Sequence, residues 1–141
     1  MITTPPFLAR AAAVSALVLS LAACSKNDTT NPDGTPTGER STDTFNGTVA
    51  AHTATWHTFT VKTAGSVDVT LTSLTPLPTS AIGVGIGTTP INGCQVQAWN
   101  NAAVQGTVLT APINTGTFCV TVYDVGNVTD GATYTLTVLH P

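Results

Sequence analysis

The sequence predicts an all-β protein: an antiparallel two-sheet β-sandwich with about eight strands in residues 44–141. Three observations predict it. Apolar residues alternate with Ser, Thr and other polar residues in runs of strand length, most cleanly in S-V-D-V-T-L-T at 66–72, where Val67, Val69 and Leu71 share a face. Gly, Pro, Asn and Asp punctuate these runs, and no stretch carries a helical period with caps. Threonine fills many positions opposite Val, Ile, Leu and Phe, and its β-branch and hydroxyl together suit a solvated sheet face.

The N-terminal segment has a different character. Arg10 precedes A-A-A-V-S-A-L-V-L-S-L-A-A, an uncharged run through Ala23 that is short for a bilayer span and suits the apolar core of a signal peptide. It ends in Leu21-Ala22-Ala23-Cys24, which resembles the lipobox of bacterial lipoproteins. That resemblance implies a signal peptide over residues 1–23 and an acylated Cys24 as the membrane anchor, with two or three chains holding far better than one. Ser25 stands where an aspartate retains lipoproteins in the inner membrane of well-studied Gram-negative bacteria, which points to the outer membrane. Residues 24–43 then form the lipidated cysteine and a tether, since Ser25–Asp43 contains no large apolar residue to offset its ordering entropy.

The candidate strands follow in order. They begin with F-N-G-T-V at 45–49, T-W-H-T-F-T-V at 55–61 and S-V-D-V-T-L-T at 66–72. After a P-L-P turn come Ile82–Ile86, C-Q-V-Q-A-W at 94–99, T-V-L-T at 107–110, F-C-V-T-V-Y at 118–123 and Y-T-L-T-V at 134–138. With Cys24 lipidated, Cys94 and Cys119 are the remaining cysteines of an extracytoplasmic chain, so we expect them to form a disulfide. The fourth run poses a question. In A-I-G-V-G-I-G, Ile82, Val84 and Ile86 share one face and Gly83, Gly85 and Gly87 share the other. Either a neighbouring side chain lies across the glycines, Trp99 being the natural candidate, or they form an open flat surface for a ligand or strand.

Composition excludes some functions. Only 8% of the 141 residues are charged, the net charge is −3, and the four Lys and Arg are dispersed, so no basic patch awaits nucleic acid. No G-x-S-x-G elbow is present. His52 and His57 differ by five, hence fall on opposite strand faces, and His140 is distant in sequence, which disfavours a zinc site. We expect no catalytic activity.

Two groups of residues carry binding hypotheses. Strict alternation would put Trp99 with Gln95 and Gln97 on one face, followed by Asn100 and Asn101, and a tryptophan beside amides suits sugar, although such a residue also serves as a rim of the core. Trp56, at a strand start, reads as core. In Y-D-V-G-N-V-T-D-G at 123–131, Asp124, Asn127 and Asp130 offer hard oxygen ligands for calcium, or simply make the turns between two strands.

The succession W-H-T-F-T-V, G-S-V-D-V-T-L-T, an apolar strand, G-T-F-C-V-T-V-Y-D and Y-T-L-T-V resembles the bacterial pre-peptidase C-terminal (PPC) domain over Phe45–Val138. The resemblance implies a jelly-roll-like accessory or targeting module, some members of the family binding calcium or collagen. This chain departs from it in having A-I-G-V-G-I-G where an aspartate-rich strand is common, and we expect no peptidase domain beside the module. The expected protein is a lipid-anchored, non-catalytic module of the cell envelope that binds an extracytoplasmic polysaccharide or protein. The alternatives are a structural component packing with other envelope proteins, and an enzyme of unknown type.

Overall fold

Eight strands form where the alternating runs fall, most of them extending beyond the expected limits. They are β1 (Ser41–Val49), β2 (Ala54–Val61), β3 (Gly65–Thr75), β4 (Ile82–Thr88), β5 (Gln95–Ala103), β6 (Val108–Ile113), β7 (Gly116–Tyr123) and β8 (Ala132–His140). The structure, a computed structural model, describes residues 38–76 and 80–141. The expected signal peptide, Cys24 and the expected tether through residue 37 lie outside the described residues.

The strands build two antiparallel four-stranded sheets, ordered β1-β8-β3-β6 and β2-β7-β4-β5. Every connection except the β4–β5 hairpin carries the chain from one sheet to the other, giving the interleaved Greek keys of a jelly roll. Inward residues alternate along each strand and meet in one core: Val67, Val69 and Leu71 from β3, Leu136 and Val138 from β8, Ile82, Val84 and Ile86 from β4, Val120 and Val122 from β7. The opposite sheet face carries Thr44, Thr137 and Thr70 in one row, the solvated threonines that the alternation requires.

The domain begins earlier than residue 44. Ser41, Thr42 and Asp43 pair with His140, Leu139 and Val138, so they belong to β1 rather than to a tether. Arg40 fixes this start: its guanidinium donates to the Ser66 and Leu139 carbonyl oxygens and reaches the Asp68 carboxylate at 2.8 Å. Composition alone hides this. Ser, Thr and Asp have little to bury, and the ladder hydrogen bonds of β8 recruit them.

The cysteines pair as expected. Cys94, just before β5, is bonded to Cys119 of β7 with Cα atoms 5.7 Å apart, and the bridge passes over β4 at the row where Cys119 faces Gly87.

Candidate functional site

The outer face of the β2-β7-β4-β5 sheet collects the features that point to a ligand. Strand parity decides what stands there. Phe59 and Val61 turn inward from β2, so Trp56, an odd number of residues from Phe59, turns outward, and it is 45% exposed. The expectation that Trp56 is core is corrected on this ground.

Trp99 also faces outward, 60% exposed. The register aligns both indoles: Trp56 faces Thr121, Thr121 faces Gly85, and Gly85 faces Trp99, so the four residues form one row across four strands. Three inter-strand steps separate the tryptophans, about 14–15 Å along the row. Between them lie only the Thr121 side chain and a glycine.

The glycines of β4 are covered, by neighbours other than Trp99. Tyr123, opposite Gly83, lays its ring where a Gly83 Cβ would stand and donates its hydroxyl to Asn101 Oδ1 across β4. At Gly85 a Cβ would meet Val96 Cγ1 at 2.9 Å and Thr121 Cγ2 at 3.1 Å. At Gly87 it would run into the Gln95 backbone carbonyl. Packing is therefore what approaches the bare backbone.

Two irregularities in β5 redistribute the expected site residues. Between Ile86/Gly87 and Ala98/Val96 the pairing skips one residue, a bulge that leaves Val96 and Trp99 both opposite outward glycines. Gln95 falls opposite Thr88 in the Phe118 row, and Gln97 lines a small apolar slot of about 180 Å³ with Ile86, Ala98, Ile113 and Phe118. Strict alternation put these glutamines beside Trp99, and the bulge takes them out of the outward register that Trp99 keeps. A second skip, between Ile82/Val84 and Ala103/Asn100, sets Asn100 opposite inward Val84 with its Oδ1 accepting from the Ala102 N–H, while Asn101 meets Tyr123. Trp99 and Asn101 thus share the platform; Gln95, Gln97 and Asn100 do not.

The four strands of this sheet contain no Asp, Glu, Lys or Arg. Its outer face therefore offers indole, hydroxyl and amide groups, with Thr58 exposed beside the row.

The Asp124 loop is a backbone anchor. The Asp124 carboxylate, shielded from solvent, accepts N–H bonds from His52 at 2.9 Å and from Val128, Gly126 and Asn127 at 3.0, 2.7 and 2.9 Å. These donors, His52 first, hold its pKa down at about 2. Asn127 Nδ2 donates to the Ala81 carbonyl, and Asp130 accepts from the Thr129 hydroxyl. Three ligands anticipated for calcium are thus each engaged in loop hydrogen bonds, and among the described residues no group of three or more His, Cys, Asp and Glu side chains is gathered for a metal.

A second concavity, about 540 Å³, opens at the end of the sandwich between Ser41, Asp43, Thr60, Lys62 and His140. A serine, a histidine and an aspartate meet here. His140 spends both ring nitrogens elsewhere, Nε2 on Asp43 Oδ2 at 3.0 Å and Nδ1 on the Pro141 carbonyl at 3.2 Å, which leaves none to deprotonate Ser41. The remaining histidine of interest, His57, stacks on Phe45 and hydrogen-bonds through Nε2 with the buried Tyr134 hydroxyl at 2.9 Å, a structural contact for which Gly47 makes room. Burial lowers the His57 pKa and raises that of Tyr134.

No family model matches this chain, and no curated protein matches it.

Proposed function

We propose that the protein is a lipid-anchored, non-catalytic module of the cell envelope that holds an extracytoplasmic polymer against the outer face of its β2-β7-β4-β5 sheet. The observation that carries this reading is the pair of exposed tryptophans, Trp56 and Trp99, aligned in one row on an uncharged face. Large exposed indoles are costly to leave in water without a partner, and on a rigid, bridged sheet they are preorganised to stack on one. The PPC-like order of strands and the lipobox-like Leu21–Cys24 support an accessory, surface-tethered role at the outer membrane, where the tether raises the local concentration of the module near its target.

The test is retention. Residues 25–141, which keep all eight strands and the disulfide, are sedimented with insoluble envelope and polysaccharide fractions beside Trp56→Ala and Trp99→Ala variants. We expect the unmodified chain to be retained and each variant to be released. Equal retention of all three would refute the assignment of the face, and retention of none would refute polymer binding and favour a structural role among envelope proteins.

A further inference from the structure

Resting on that reading, we infer that the ligand is a neutral, extended polysaccharide chain running across the strands, long enough to stack on Trp56 and Trp99 together. Three observations converge on this. The first is charge: with no Asp, Glu, Lys or Arg in the four strands, the face has nothing to pair with an anionic or cationic polymer. Indole faces, the Thr58 hydroxyl and the Asn101 amide match instead the mixed apolar faces and hydroxyl edges of pyranose rings.

The second is distance. With the indoles on strands about 14–15 Å apart, a mono- or disaccharide reaches one of them and a chain of about four or more sugars reaches both. The row between them carries only Gly85 and the buried Thr121, so no large side chain of the row itself separates the indoles.

The third is twist. Strands in a sheet rotate by roughly 20–25° per step, so the supports of the two indoles are turned by about 60–75° over three steps. A rigid crystalline face cannot lie flat on both; a single chain that turns about its own axis can. The module should therefore prefer single soluble or amorphous chains to crystalline surfaces.

The experiment is a length series of soluble, uncharged β-1,4-linked glucose and N-acetylglucosamine oligomers, titrated into residues 25–141 by calorimetry and by tryptophan emission. Both tryptophans lie on the platform, so the emission of the unmodified protein reports the site directly. Joining two weak stacking contacts in one ligand should raise affinity by about tenfold or more between chains of about two and about six sugars. Trp56→Ala and Trp99→Ala should each flatten that rise, and added salt should leave it unchanged. Affinity independent of length, loss of binding with salt, or retention on an envelope fraction that none of these oligomers competes for would overturn the inference while leaving polymer binding standing. A concentration-dependent dimer abolished by Trp99→Ala would overturn it in favour of a second copy as the occupant. Failure of the parent reading looks different: no fraction of any kind retains the protein.

Discussion

Replacing Gly83 by alanine tests the way β4 is covered. A Cβ added there would sit 2.0 Å from Tyr123 Cε2, whereas carbon atoms rest about 3.5–4.0 Å apart, so the ring must leave its place. Overpacking of this kind costs about 1–3 kcal/mol, and the lower chain entropy of alanine returns about 0.5–1 kcal/mol of it. The net loss is about 0–2.5 kcal/mol, centred near 1, which lowers the melting temperature by several degrees in a domain of this size. In a Tyr123→Ala background the obstacle is gone, and Gly83→Ala should be neutral or slightly stabilising. Chemical denaturation of the four proteins in a double-mutant cycle gives the coupling directly. Gly87→Ala serves as the control, because its obstacle is the Gln95 backbone, and its penalty should persist whether or not Tyr123 is present. A Gly83→Ala penalty identical in both backgrounds would refute the placement of the Tyr123 ring.

Three other outcomes are expected. Replacing Cys94 and Cys119 together by serine opens a cross-link between residues separated by 25 positions, worth about 3.5 kcal/mol in the chain-entropy model, and should show as a fall in denaturation midpoint of that order. Tyr134→Phe removes the buried hydroxyl that pairs with the partly exposed His57 Nε2 and should cost about 1 kcal/mol by thermal melting. Acid should destabilise the fold in two stages. The His57 pKa lies below its ordinary 6.5, so the unfolded chain takes up a proton first and stability falls as pH drops through 6.5 towards the folded value. Asp124 has the opposite charge type and the same sense: its contribution is complete above the ordinary 3.8 and is lost as pH falls towards about 2. The hydrogen bond from Thr110, followed by the Arg40 contact, lowers the Asp68 pKa as well and adds to the second stage. Melting temperatures of the parent and of Asp124→Asn should differ most above pH 3.8 and converge as pH falls towards about 2.

Alternation carried most of the fold. In β3 the run S-V-D-V-T-L-T names its inward residues unaided, and the same parity places Phe59 and Val61 inward from β2. It also contains the signal for Trp56, which stands out of phase with Phe59; size and hydrophobicity argue for the core, and register overrules them. Bulges are where alternation fails. One extra residue at Gln97 in β5 reverses the phase between Val96 and Trp99, and no local residue preference announces it, because the bulge follows from fitting β5 to the glycine backbone of β4. Tyr123 was equally hidden as the cover of Gly83, since strand adjacency of β7 and β4 is a property of the jelly-roll order rather than of either segment. The Asp124 loop shows a third limit. Carboxylate, amide and glycine in a short segment suit both calcium and turns, and only the four N–H donors converging on Asp124 reveal how its oxygens are used.

The most direct test of the platform is a nitrogen–hydrogen correlation NMR spectrum of residues 25–141 recorded while a retained polysaccharide fragment is added. The chain has two tryptophans, so two indole N–H signals report on the two ends of the row. Both should shift and saturate together, with the Gly85 and Thr121 amides between them, while the signals of Asp43, Lys62 and His140 in the end cleft stay in place. Shifts confined to that cleft, with both indole signals unmoved, would contradict the assignment of the outer sheet face as the binding surface.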